Sequence, residues 1–191
     1  MSLRLVTDLT REPVSIEDQK LHLRLDGDDD DAYVATCIKA ARLWVEGQTK
    51  YITLSQTWDY KIDHGWPYHN GSPRIDLPLD PLKDEASPST TVVTYVDSNG
   101  TTQTLAQSQY TVVPRDSNSY IVPAYNITWP EVRCVPDAIN VRFVAGNSSC
   151  PEVIKQAIKI LASHYYEMRE TAAKAPMAVE ALISPYRKVM F

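Results

Sequence analysis

Residues 150–187, CPEVIKQAIKILASHYYEMRETAAKAPMAVEALISPYR, decide the fold more than any other stretch. Apolar side chains recur there at spacings of three and four, the period of one buried helix face. We predict a long helix over about 151–170, because Pro151 suits the first helical position, and a short one over about 177–184. The predicted buried side chains are Val153, Ile154, Ala157, Ile158, Leu161, Tyr165 and Met168 in the long helix, and Val179, Leu182 and Ile183 in the short one.

The amino-terminal part of the chain predicts two more helices. The first spans about 13–25, because Ser15 with Asp18 three residues later forms a capping box. The second spans about 29–48, with Gly47 as its C-terminal stop. Its predicted buried stripe is Val34, Cys37, Ile38, Ala41, Trp44 and Val45.

Between the two helical parts the hydrophobic period changes to two, which is typical of strands. The clearest signal is a hairpin of 91–96 and 101–105 around the turn Asp97-Ser98-Asn99-Gly100. An aromatic, proline-bearing loop is predicted at 64–73. The other predicted strands are 57–62, an edge strand at 74–78, 110–113, 119–122 and 139–144.

These elements together predict an α+β fold. A small helical bundle forms from the N- and C-terminal segments, and an antiparallel β module is inserted between them. The predicted parts are residues 1–51, the N-terminal helices; residues 52–146, the inserted β-rich module; and residues 147–191, the helices that complete the bundle.

The charge of the chain argues against general binding to nucleic acid. The formal net charge is −5, and residues 1–150 carry 13 basic against 20 acidic side chains. Affinity for phosphates rests on basic side chains that release counterions, so a general DNA-binding protein is not expected.

The start of the chain lacks the apolar run of a secretory signal, and we expect a soluble protein with no membrane contact. Three widely spaced cysteines predict neither a disulfide framework nor a zinc site.

Each candidate for chemistry has a plainer structural interpretation. The run 28–31 of aspartates fits helix capping better than a calcium loop, whose ligand spacing it lacks. His64 and His69 lie five residues apart on a loop, a weak metal signal. His164 and Glu167 share a helix face, but a di-iron bundle needs that motif twice. No nucleophile or phosphate-loop motif is present. We therefore predict no enzyme, no catalytic residue, no cofactor and no bound metal.

Aromatic side chains are concentrated in the predicted β module. They suit the core of a small β module or a protein interface, and a sugar-binding platform remains the alternative. A carbohydrate- or receptor-binding module and a small hydrolase are thus the competing functions. The aromatic side chains concerned are Trp58, Trp66, Tyr68, Tyr95, Tyr110, Tyr120, Tyr125 and Trp129.

The chain resembles the head–tail connector (adaptor) proteins of tailed bacteriophages, in the subgroup with a β-rich insertion. The resemblance extends over nearly the whole length, and the order of its short motifs is more specific than any one motif. The segments that carry it are 5–7, 12–15, 20–24, 38–42, 45–46, 56–58, 122–125, 129–130, 141–146, 154–157, 164–170 and 179–187.

The resemblance implies a structural virion protein of the neck, between capsid and tail, assembled in the host cytoplasm. It implies a ring, expected to be dodecameric, that lies below the portal protein and extends the DNA channel. The ring would dock the next neck or tail-completion protein, and DNA would pass without sequence-specific binding. The candidate contacts to a neighbouring subunit or to the portal are Arg42, Arg169, Tyr186 and Arg187.

Overall fold

The computed structural model describes residues 1–82, 90–115, 117–169 and 174–188. They form two compact units. A helical unit contains residues 9–54 and the chain from Ser148 onward, and a β unit contains residues 1–8 and 55–147. The predicted α+β class, with a helical unit made from both ends of the chain around an antiparallel β insertion, is confirmed.

All four predicted helices are present in the helical unit. The side chain of Ser15 accepts the backbone N–H of Asp18 and so caps the first helix as predicted. The second helix does not stop at Gly47. It continues to Thr49, and Lys50 takes the left-handed conformation with φ 59°, where its cation also suits the negative end of the helix dipole. The helices are α1 (Ile16–Leu23), α2 (Asp31–Thr49), α3 (Glu152–Met168) and α4 (Met177–Ile183), and a 3-10 turn Ser184–Tyr186 follows α4.

The core of the helical unit lies between α2 and α3, and α1 and α4 close it. Two side chains that the helical period places in this core are exposed, namely Val153 at 42% and Met168 at 53%. Both lie in the terminal turns of α3, where neighbouring helices cover less of its surface. The fully or nearly fully buried side chains include Val34, Ile38, Ala41, Val45, Ile154, Ile158, Leu161, Val179 and Ile183.

The β unit contains a five-stranded antiparallel sheet, a three-stranded sheet and a two-stranded hairpin. The five-stranded sheet has the order β1-β2-β10-β6-β7, and the three-stranded sheet has the order β5-β9-β8. The central strand β10 buries Ile139, Val141 and Phe143 completely. The strands are β1 (Ser2–Thr7), β2 (Gln56–Ile62), β3 (Tyr68–His69), β4 (Ser72–Pro73), β5 (Ile75–Asp76), β6 (Val92–Val96), β7 (Thr102–Thr104), β8 (Tyr110–Val113), β9 (Tyr120–Pro123) and β10 (Ile139–Ala145).

Two strand pairings differ from the sequence-based prediction. The first residues of the chain, assigned to the helical part, form β1 and pair with β2, because Leu3 and Leu5 alternate in register with aromatic side chains of β2. The predicted loop 64–73 contains the hairpin of β3 and β4. Its turn residues Asn70 and Gly71 both have positive φ, as an Asn-Gly hairpin turn requires.

Candidate interaction surfaces

Arg42 lies inside the helical unit, and its side chain is 1% exposed. Its guanidinium donates to Glu12 at 2.8 Å and to Glu46 at 2.9 Å. Glu46 is also buried, and its other carboxylate oxygen accepts the N–H and the hydroxyl of Thr53 at 3.0 and 2.7 Å. Arg42 therefore links α2 to the segments before and after it. Its sequence-based assignment to an inter-subunit surface is corrected, because the cation is enclosed by its own subunit.

Arg169 ends α3 and is exposed. It takes the left-handed conformation with φ 49°, and its N–H donates to the carbonyl of Tyr165 at 3.0 Å. The guanidinium carbon lies 5.8 Å from the ring centroid of Tyr33, a cation–π distance. Arg169 thus has a structural role at the end of α3. Because the side chain is exposed, its contact with another protein stays a prediction.

Tyr186 and Arg187 lie beside each other immediately after α4. The ring of Tyr186 packs edge-on against Tyr51, with centroids 5.3 Å apart. Arg187 makes an ion pair with Glu180, and both side chains are about two-fifths exposed. An exposed ion pair contributes at most about 1 kcal/mol, so Arg187 can exchange this partner for another at little cost. We call Glu180, Tyr186 and Arg187 the C-terminal patch.

An open groove of about 460 Å³ crosses the helical unit. Its floor includes the buried side chains of Val14, Ile38 and Cys150, and its rim includes Asp18 and Lys155. Burial raises the pKa of the Cys150 thiol to about 12, so the thiol is protonated and not a nucleophile at neutral pH. The floor of the groove therefore offers apolar contact. Sequence reasoning missed it because four separate segments of the chain line it.

The aspartate run does not cap α2 through side chains, which corrects the capping interpretation. Asp30 occupies the cap position but makes no cap hydrogen bond, and accepts instead from the hydroxyl of Tyr166 at 2.5 Å. Lys20 lies 2.6 Å from Asp28 and 2.8 Å from Asp31. The hydrogen bond to Lys20 holds the pKa of the Asp28 carboxyl below its ordinary value. The run thus stabilises local structure around Lys20.

Three aromatic side chains of the β unit pack on one another. Trp66 and Trp129 stack with centroids 4.5 Å apart, and Tyr95 lies 5.9 Å from Trp66. Tyr110 is buried and donates its hydroxyl to a backbone carbonyl at 2.6 Å. Because the two tryptophan rings cover each other, they do not form the open flat face that stacks on a sugar. Tyr125 is 92% exposed.

His64 and His69 have separate partners. Nδ1 of His64 lies 3.7 Å from the sulfur of Cys134, and His69 lies 3.2 Å from a carboxylate oxygen of Asp76. His164 is half-buried on α3, whereas Glu167 is exposed. Within the described ranges, no three His, Cys, Asp or Glu side chains gather as metal ligands would.

A charged row crosses one face of the five-stranded sheet. Arg142 on β10 binds both carboxylate oxygens of Asp59 on β2, at 2.7 and 2.8 Å. Arg4 on β1 is the register partner of Asp59 on its other side. The hydrogen bonds from Arg142 lower the pKa of Asp59 against the opposing effect of partial burial. The row thus places charged side chains of three neighbouring strands beside one another, and Arg142 and Asp59 connect two of these strands.

Comparison with known proteins relates the chain to one class. The family model of phage gp6-like head-tail connector proteins matches residues 13–110, from just before α1 to the start of β8. No curated protein sequence matches the chain. None of the helices in the described ranges is long and apolar enough to cross a bilayer.

Solved structures extend the likeness over the full length. A chain in the virion of a native gene transfer agent (GTA) particle is 26% identical, with a TM-score of 0.76. A chain in the neck of the native GTA particle, computed with C12 symmetry, is 25% identical with a TM-score of 0.77. A chain in the neck of the empty particle, computed with C6 symmetry, is 24% identical with a TM-score of 0.77 and supports the fold alone. Each match covers 100% of this chain and 97% of the other.

Proposed function

The chain belongs to the family of phage gp6-like head-tail connector proteins, and from that premise we propose that it is a structural component of the particle neck that assembles as a ring. The observation that carries this is the full-length likeness, at 25% identity, to a chain in a neck computed with C12 symmetry. The proposed ring would have twelve copies and would lie between the capsid portal and the tail.

Ring closure places a demand on the surface of each copy. A cyclic assembly joins two different patches head to tail, whereas a two-fold dimer uses one patch twice. A chain with two compact units carries enough separate surface for such a pair of patches and for contacts above and below the ring. The role is mechanical, and the arrangement of titratable groups described above supports no catalytic step.

We assign the portal contact to the C-terminal patch, with Arg169 as a further candidate. Tyr186 and Arg187 are of the residue types that dominate protein interfaces. The next neck or tail-completion protein would dock on the opposite side of the ring. DNA would pass through the channel without sequence-specific binding. A carbohydrate-binding function has no support from the packing of Trp66 and Trp129.

The portal assignment is tested by binding the purified protein to its cognate portal ring. We expect the double substitution Tyr186→Ala with Arg187→Ala to weaken binding about tenfold, the size of a moderate interface hot spot. Lys39→Ala, at an exposed position of α2, is the control and should bind normally. Unchanged affinity in the double variant, with its melting temperature retained, would remove the patch from the portal interface.

A further inference from the structure

The five-stranded sheet ends in two different edges. Among the described residues, β1 pairs only with β2, and β7 pairs only with β6. Every residue of β1 and every residue of β7 is exposed. In an antiparallel edge strand, alternate N–H and C=O groups point away from the one partner strand and can pair with another chain. The sheet therefore presents two rows of backbone donors and acceptors at its opposite ends.

The β1 edge also exposes apolar surface. Leu3 is in register with Tyr60, and Leu5 with Trp58, so both leucines continue the apolar face that β10 buries at the centre of the sheet. Leu3 is 38% exposed and Leu5 is 37% exposed. An exposed, apolar edge strand is a surface that proteins usually cover or protect.

Strand direction matches the two edges to each other. Each strand in the order β1-β2-β10-β6-β7 runs antiparallel to its neighbour, so the two outer strands run in the same direction. A copy placed beside another in the same orientation therefore brings β7 alongside β1 as a parallel pair. The sequence of β7 is Thr-Gln-Thr, which is uncharged and places two strand-favouring threonines at this edge.

Pairing of β1 with another β1 fits less well. With the two-fold axis near the middle of Ser2–Thr7, it would bring Arg4 of one copy near Arg4 of the other, and like charges across a strand pair are destabilising. It would also close as a two-fold dimer and use up the surface that a ring needs.

We propose that β7 of one copy adds to β1 of the next copy, so that the sheets of neighbouring subunits join edge to edge around the ring. This proposal rests on the proposed ring function and names the strands that hold the ring together. The backbone pairing would span the three residues of β7, and Leu3 and Leu5 would become covered.

Cysteine cross-linking tests the pairing. Ser2 and Thr102 lie on the same face of the sheet by register, which suits Ser2→Cys with Thr102→Cys and keeps Arg4 in place. The background is Cys134→Ser, which removes the exposed native thiol and leaves the two buried ones. Rings are first verified by light scattering, alone or on the cognate portal, and then oxidised or treated with a short bis-maleimide.

We expect the double-cysteine ring to give a ladder of covalent oligomers up to the closed ring. A mixture of the two single-cysteine variants should stop at dimers, and each single variant alone should remain monomeric under denaturing conditions. Rings that form normally but do not cross-link would overturn the strand pairing and leave the ring intact. Dimers from Ser2→Cys alone would show β1–β1 pairing instead. Failure to form any ring, even with the portal, would contradict the proposed function and the pairing together.

Discussion

At the scale of single residues, Arg42 links α2 to the segments before and after it. Its guanidinium is enclosed between Glu12, thirty positions earlier in the chain, and Glu46, one helical turn later. A buried ion pair adds little net stability over an apolar replacement of both partners, but removal of one partner leaves an uncompensated charge. Substitution of Arg42 should therefore cost more stability than substitution of an exposed arginine.

Replacement of Arg42 by Met should destabilise the protein by about 3–5 kcal/mol, because the buried carboxylate of Glu46 would lose the hydrogen bond from the guanidinium. The free energy of unfolding in urea measures this. Arg187→Ala, at an exposed ion pair, is the matched control and should change stability by less than about 1 kcal/mol. Equal stability of Arg42→Met and the parent protein would show that Glu46 does not depend on Arg42.

Asp59 gives the β unit a defined pH dependence. Hydrogen bonds from Arg142 lower the pKa of Asp59 in the folded state, so the protein folds more favourably when Asp59 is ionised. This stability is present above the unfolded pKa of about 3.9 and is lost as pH falls through the folded pKa. Asp59→Asn should cost about 1 kcal/mol at pH 7, because the half-exposed Arg142 side chain is screened by solvent.

Denaturation of the parent and Asp59→Asn proteins at several pH values measures the difference. The difference in unfolding free energy between the parent and Asp59→Asn proteins should be largest near neutral pH. It should shrink as the pH falls below about 4. A gap that stayed constant down to pH 2.5 would mean that the carboxylate charge is not the stabilising feature.

At the scale of elements, periodicity was enough to place every helix and most strands. The stripe of α2 and the Asp97–Gly100 turn are strong local signals, since spacing and turn residues act within a few positions. β1 was missed because its six residues form a strand only through pairing with β2, more than fifty positions later. Burial of Arg42 was missed for the same reason, since Glu12 is not a helical neighbour. The exposure of Val153 and Met168 at the ends of α3 depends on where the neighbouring helices end. The local sequence pattern of α3 does not contain that information.

The short helix α4 is part of the core as well as a carrier of the C-terminal patch. Ile183 is fully buried, whereas Met177 on the same helix is 87% exposed. Ile183→Ala should destabilise the protein by about 2–5 kcal/mol through lost apolar burial and a cavity. Met177→Ala should leave stability unchanged, and thermal unfolding compares the two. Similar melting temperatures for both variants would mean that α4 is not packed on the bundle in solution.

At the scale of the whole molecule, the charge distribution suits a channel component that does not retain DNA. The formal net charge of −5 opposes condensation on a polyanion, and Arg142 on the sheet face is paired with Asp59. We expect no band shift of duplex DNA with up to about 100 μM protein at 150 mM salt, because non-specific DNA-binding proteins reach Kd values of about 10⁻⁴–10⁻⁶ M there. Binding that weakened steeply as salt increased would instead indicate a basic surface created by assembly.

The mass of the assembled protein shows whether it forms the proposed ring. Light scattering should be recorded for the purified protein alone and after mixing with its cognate portal ring. We expect a closed ring of twelve copies, either in free solution or on the portal, in line with the C12 neck that contains a similar chain. A protein that stays a 21.5 kDa monomer and does not associate with the portal would rule out the proposed ring.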